Sequence, residues 1–376
     1  MKYYNAEQKG KSIFKIFLIY YISMLLFCAL RILVQLGIFP DKLWVDILFS
    51  CFVQIGLLLI LPSILFCVLF KCKPSRLIKD CNFNKVNYKV ILISIVLGIL
   101  CFIINIAVSS LFNGVLTFTG YRFSSSGTAD YSTLNFVIDI LTVAILPAIC
   151  EEFIHRGVLL QGIKHIGFKK AIIISSVLFG LVHFNIQQVS YAIVVGLILG
   201  FVSVVAKNIY PAMIIHFINN FISTYISYAS HNDWIGGNIL NDIQALLTSG
   251  KSLWIFSISA LILIAVVSLL FFFVWLLYRQ SIMRKVKKAI DKIYKGSKVF
   301  EKNQPIHFAE ERIIRELLEN NTLLNLTYKK MDSPIEIVMP KEKTRYLWRS
   351  KDKIFMWASL ILGALVTIFT YIWGLL

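Results

Sequence analysis

Charge is what this sequence has least of. Only 15% of its 376 residues are Asp, Glu, Lys or Arg, whereas 58% are hydrophobic and the mean hydropathy is +0.75. That balance excludes an ordinary soluble globular domain and places the chain among multi-pass membrane proteins. Other absences narrow the reading. None of the seven cysteines (28, 51, 67, 72, 81, 101 and 150) belongs to a C-x-x-C pair, and all fall within spans or on the cytoplasmic side. Neither a disulfide framework nor a cysteine-based metal or redox site is expected. Cys150 adjoins Glu151 and reads as a small apolar helix residue. No H-E-x-x-H occurs, so the usual soluble metalloprotease motif is missing. There is no internal repeat or low-complexity tract. The first span lacks the short apolar core and small-residue cleavage site of a signal peptide and reads as an uncleaved anchor.

What is present is apolar sequence in span-length runs. A membrane-crossing helix needs about 20 such residues. The candidates are 14–36, 44–70, 90–112, 134–160, 171–188, 190–206, 209–228, 253–278 and 355–376. The fold class is therefore all-α and polytopic, with about nine transmembrane helices. The middle three spans are short, closely spaced and interrupted by His, Asn and Pro, a pattern that survives in a membrane only inside protein or beside a water-filled cavity. They are read as the buried catalytic core. Five segments follow: an N-terminal three-span unit at 1–133, the core at 134–228, an outward loop and eighth span at 229–278, a basic cytoplasmic segment at 279–353, and a C-terminal span at 354–376.

Orientation follows from Lys and Arg, which gather on the cytoplasmic side of a membrane protein. With the N-terminus in the cytoplasm, only Lys42, Arg122 and Lys251 fall on the opposite face, and Arg31 and Arg156 lie within spans. The rest of the 38 Lys and Arg are cytoplasmic, nineteen of them in 279–353. The chain is thus expected in the cell membrane, with its C-terminus outside. Cytoplasmic loops against anionic inner-leaflet lipid account for the formal net charge of +18 without a nucleic-acid partner. Residues 279–353 open with Ile282, Val286, Ile290, Ile293 and Tyr294 at helical spacing among lysines, the pattern of an amphipathic helix on the inner leaflet. A second helix, E-E-R-I-I-R-E-L-L-E, follows Pro305 and is either a solvated surface helix or a docking site for a cytoplasmic partner. The outward loop 229–250 has turn-like composition and is either a connector or a lid.

Three short strings carry the chemistry: E-E-F-I-H-R-G from Glu151, F-G-L-V-H ending at His183, and H-F-I-N-N from His216 to Asn220. An unpaired charge at the bilayer centre costs about 2.5–3.5 kcal/mol on insertion scales, so such groups are retained for use. Glu151 and Glu152 are adjacent in a helix near the cytoplasmic end of the fourth span and diverge by about 100°. Glu152 and Arg156 stand at i, i+4 and can pair, which leaves Glu151 for a separate task as a general base. His183 and His216 come from different spans. His216 and Asn220 lie one turn apart on one face and could stabilise an oxyanion. Glu151, His183 and His216 could instead be three zinc ligands with an open fourth position. His155 is placed to support Glu151. Asn219 faces away from Asn220, and Asp139 and Asn105 are assigned to packing. His165, His231 and His307 are assigned nothing.

These strings resemble the CAAX prenyl protease and bacteriocin-processing family, also called the abortive-infection family, which includes the type II CAAX prenyl endopeptidases. Its pattern is E-E-x-x-x-R, F-x-x-x-H and H-x-x-x-N, supplied here by Glu151, Glu152 and Arg156, by Phe179 and His183, and by His216 and Asn220. The resemblance covers about 134–228. It implies an intramembrane glutamate-dependent peptidase open toward the cytoplasm, with no cofactor. Glu151 and His183 would activate a water, His216 and Asn220 would form the oxyanion hole, and Glu152 and Arg156 would support the site or position substrate. Two features depart from the pattern: His155 replaces a frequent Phe before the arginine, and 279–353 with the last span extends beyond the core. The implied substrate is a membrane-associated protein or hydrophobic peptide cut near the cytoplasmic face. The competing readings are a zinc peptidase using the same residues and a non-catalytic immunity or scaffold protein.

Overall fold

The computed structural model describes residues 6–40, 42–123, 130–238, 265–278 and 350–375. Within them the chain is helical: α1 (Ala6–Gln35), α2 (Leu43–Phe70), α3 (Pro74–Asp80), α4 (Tyr88–Phe118), α5 (Thr133–Ile166), α6 (Phe168–Leu181), α7 (Ile186–Ala206), α8 (Tyr210–His231), α9 (Ala265–Tyr278) and α10 (Ile354–Leu375). Asn87, Ser132 and Asn185 start α4, α5 and α7 by accepting a backbone N–H from the first turn. Gly167, at φ +106°, ends α5 and begins α6 in a conformation open to glycine.

Among the described residues, six helices are long and apolar enough to cross a membrane: α1, α2, α4, α5, α7 and α10. The sequence pattern led us to expect nine spans. The expected 171–188 is α6, whose 14 residues extend about 21 Å and stop short of a bilayer core of about 30 Å. The expected 209–228 is α8, which has the length at 22 residues but carries His216, Asn219 and Asn220. Of 253–278, only α9 lies among the described residues. Most of the basic segment, 279–349, and much of the loop 229–250 lie outside them. The glutamates also sit differently from expectation. The helix that bears them runs 14 residues beyond Glu152, to Ile166, so they stand mid-helix rather than at a span end.

Two apolar cores flank the site. One joins α1, α2, α3, the second half of α5, α6 and the start of α10, around Phe17, Tyr20, Ile154, Leu159 and Leu178. The other joins α4, α7, α8 and α9 around Leu97, Leu199, Val202 and Ile215. Small residues let the helices approach, as in other membrane bundles. A Cβ built on Gly98 of α4 would lie 2.6 Å from the Cβ of Ile218 on α8. The buried polar side chains Glu152, His155, Arg156, Ser175, Ser176, His216 and Asn219 fill the seam between the two cores.

Three stretches are wound wider than an α-helix: Phe52–Ile60 in α2, and Ile140–Ile145 and Phe153–Leu160 in α5. Two of them have a cause in sequence. Pro62 and Pro147 follow Phe52–Ile60 and Ile140–Ile145 within two residues, and a proline ring clashes with the carbonyl four residues back while offering it no N–H. Such widened turns collect at functional sites. Each of these three contributes a group to the arrangement described next.

Candidate active site

Glu152 is fully buried, and its Oε1 accepts two hydrogen bonds. Arg156 Nη1 donates to it at 2.7 Å from the widened turn below, and His216 Nδ1 lies 3.0 Å away on α8. Arg156 is equally buried. Its Nη2 donates to the carbonyl of Gly196 on α7 at 3.1 Å, and its guanidinium stands 4.3 Å from the centroid of the Phe179 ring. Gly196 permits that approach: a Cβ there would sit 3.1 Å from Ser176 Cα and 3.2 Å from Phe179 Cδ1. The pairing of Glu152 with Arg156 is the one the i, i+4 spacing anticipates. The third member, His216, comes from 64 residues along the chain.

Phe179 is the hub of the cluster. Ring centroids of His155, His183 and His216 lie 5.0, 5.3 and 5.6 Å from its own, all nearly perpendicular to it. Edge-to-face packing suits polar rings around an aromatic quadrupole. This contact explains why a phenylalanine stands four residues before His183. Because α6 ends at Leu181 and the chain turns through Phe184 at φ +50°, His183 hangs from the end of a short helix rather than lying inside a long one. His183 Nδ1 donates to the Phe179 carbonyl at 2.8 Å, an oxygen that can only accept, so Nε2 carries the lone pair. His183 lies within electrostatic reach of Glu151, His216 and Arg31.

Glu151 is half-buried and faces away from the Glu152 pair. Its Oε1 accepts from Gln54 Nε2 at 2.9 Å, from the widened turn of α2, while Oε2 makes no hydrogen bond to protein. Its backbone carbonyl accepts from His155 Nδ1 at 2.7 Å. His155 Nε2 meets the Tyr20 hydroxyl at 3.1 Å, which also donates to the Leu178 carbonyl at 3.0 Å. His155 therefore braces the helix beneath Glu151. Asn220 is tied elsewhere: Nδ2 donates to the Val143 carbonyl at 2.9 Å, and Oδ1 accepts from Asn219 Nδ2 at 3.0 Å.

Of the six site residues expected from sequence, Glu152, Arg156 and His216 are joined by hydrogen bonds, and Phe179 joins His183 to them. Glu151 stands beside this group with its own partner. Asn220 is one turn along α8 from His216. Sequence reasoning missed Gln54, Tyr20, Gly196 and the Val143 carbonyl. Gln54 had a signal, being the sole amide side chain in α2. Among the described residues no three His, Cys, Asp or Glu side chains converge closely enough to hold a metal ion. His183 and His216 each keep one ring nitrogen, and Glu151 one oxygen, outside the hydrogen bonds described above, and no step below runs through a metal.

Residues 133–222 match the family model described as type II CAAX prenyl endopeptidase Rce1-like, and that segment contains every motif residue named above. No curated protein and no solved structure matches the chain significantly. Over residues 133–222, about a quarter of its length, this membrane-embedded, multi-pass chain is thus similar to the type II CAAX prenyl endopeptidases, and the similarity falls on the segment that holds the motif residues.

Proposed function

We propose that the protein hydrolyses a peptide bond within or beside the membrane, using a water activated by Glu151 and His183. The observation that carries this reading is the division of labour between adjacent carboxylates. Each leaves its Oε2 without a protein partner, but Glu152 is fully buried and tied to Arg156 and His216, whereas Glu151 is half-buried and held only by the neutral amide of Gln54. A water held between Glu151 Oε2 and His183 Nε2 gives its proton to Glu151 as its oxygen attacks the scissile carbonyl carbon. The resulting oxyanion is met by His216 Nε2 and the amide of Asn220. Oxyanion donation requires a proton on His216 Nε2, so in this step the ring carries both protons, with Nδ1–H on Glu152. The tetrahedral intermediate collapses, Glu151 returns the proton to the leaving amine, and a carboxylate and an amine depart. The reading is supported by the match of residues 133–222, whose description names a type II CAAX prenyl endopeptidase.

The substrate on this reading is a membrane-associated protein or hydrophobic peptide, cut near the cytoplasmic face. The basic residues put the N-terminus in the cytoplasm, the C-terminus outside, and anionic inner-leaflet lipid against 279–353. A reporter active only in the cytoplasm, fused after Leu376, should be silent; activity there would reverse the assigned topology. The hydrolase reading is tested by comparing membrane peptides from cells that make wild type or Glu151→Gln. Peptide pairs present only with wild type are expected. Identical peptide profiles would favour a non-catalytic scaffold.

Gln54 supplies a further test within this reading. Gln54→Leu removes the donor that fixes Glu151 Oε1. A hydrogen bond to a charged group is worth about 1.5–3 kcal/mol, so turnover should fall about 10- to 100-fold. Wild-type turnover in Gln54→Leu would show that Glu151 works without it.

A further inference from the structure

The Asn220 amide sits at one end of a chain of hydrogen bonds whose direction is set by the backbone. Pro147 has no N–H, so the Val143 carbonyl, four residues earlier, lacks the donor an α-turn would give it. Asn220 Nδ2 supplies one at 2.9 Å. A carbonyl can only accept, so Asn220 must turn its nitrogen toward α5 and its Oδ1 away. Asn219 must then meet that oxygen with its own nitrogen, as it does at 3.0 Å. Its Oδ1 in turn needs a donor, and Asn105 Nδ2 of α4 provides it at 3.2 Å. The remaining Asn105 oxygen accepts from Ser109 Oγ at 3.1 Å. Three amides that could each face either way are thus fixed in one sense. The chain crosses α4, α8 and α5, and Asn219 is 4% exposed, so water does not compete at its centre.

We propose that Asn105 and Asn219 are positioning residues that keep Asn220 presenting N–H rather than C=O to the substrate oxygen. The proposal rests on the reading of Asn220 as an oxyanion donor. The Asn220 nitrogen carries two hydrogens, one committed to Val143 and one left for the reaction. Reversal of the amide would put two oxygens face to face at Val143 and aim a carbonyl at the developing negative charge. Without Asn105, the Asn219 oxygen loses its donor and nothing upstream opposes that reversal. Asn105 lies outside residues 133–222, the segment that carries the family motifs, so the core borrows this constraint from the N-terminal unit.

The test uses the full chain in detergent and, as probe, a synthetic fluorophore–quencher copy of a membrane peptide cleaved by wild type but not by Glu151→Gln. Asn220→Ala should lower kcat about 10²- to 10³-fold. Asn105→Leu should lower kcat about three- to tenfold, with KM within about twofold, and Asn105→Gln should recover part of that loss. Added to Asn220→Ala, Asn105→Leu should cost nothing further. Asn219→Ala repeats the measurement from α8 should Asn105→Leu not fold. An undiminished kcat in both Asn105→Leu and Asn219→Ala would overturn the positioning role, as would losses that multiply with that of Asn220→Ala, the mark of independent structural damage. If Asn220→Ala itself keeps wild-type kcat, the oxyanion role of Asn220 fails and the positioning role fails with it, while hydrolysis dependent on Glu151 still stands.

Discussion

Glu151→Gln is expected to abolish turnover while leaving the fold and substrate binding intact. The replacement keeps the shape of the side chain, and its amide oxygen can still accept from Gln54 Nε2. What it loses is the capacity to take a proton from water. General-base catalysis contributes about 10²- to 10⁴-fold, which sets the size of the expected fall in kcat. KM should hardly move, because Glu151 touches the water and not the bulk of the substrate. The neighbouring carboxylate cannot take over: Glu152 is buried, and its Oε1 already serves Arg156 and His216. The same purified enzyme assayed with a chelator separates this mechanism from zinc catalysis. Activity should persist. Reversible loss with chelator, with stoichiometric zinc that both His183→Ala and His216→Ala release, would make Glu151 a ligand instead of a base.

The sequence carried the apolar spans and the three polar strings because both are one-dimensional patterns. An apolar run of 20 residues or a carboxylate inside one needs no partner to be noticed. The Glu152–Arg156 pair was legible for the same reason, since i, i+4 spacing on a helix fixes which side chains meet. Other features depend on where helices cross. Gln54 looks like a lone amide in an apolar run until α2 is seen against α5. Tyr20 gives no sign of meeting His155, 135 residues away. The same limit hid the partners of Asn105 and Asn219, which spacing assigned to packing and to a direction away from Asn220, although Asn219 donates to the Asn220 oxygen. The length of α6 was misread because hydropathy continues through Val182 and Phe184, past the helix end at Leu181. The widened turns alter angular spacing within a helix, so a fixed 100° step misplaces side chains beyond them. Pro62 and Pro147 were the available clue, and the loss of the α-turn donor to the Val143 carbonyl could have been anticipated from Pro147 alone.

Glu152→Gln should destabilise the protein far more than Glu151→Gln, although the two changes are chemically identical. Glu151 is half-buried and donates nothing to the ion cluster. Glu152 is fully buried and is bonded to the equally buried Arg156. Amidation leaves that guanidinium in an apolar seam with a neutral acceptor, and removing one partner of a buried pair typically costs about 3–5 kcal/mol. It also takes the anionic acceptor from His216 Nδ1, so the ring loses what sets its orientation. Thermal unfolding in detergent is the measurement, with Glu151→Gln as the matched control near wild type. Wild-type stability in Glu152→Gln would mean that the pair is not a buried one in the working protein. A double replacement sharpens the argument. Removing both charges of a buried pair is often close to neutral, so Glu152→Gln with Arg156→Met should recover part of the lost stability. It should not recover turnover, because the orientation of His216 depends on the carboxylate and not on the net charge. Stability that returns without activity would separate what Glu152 does for the fold from what it does for His216.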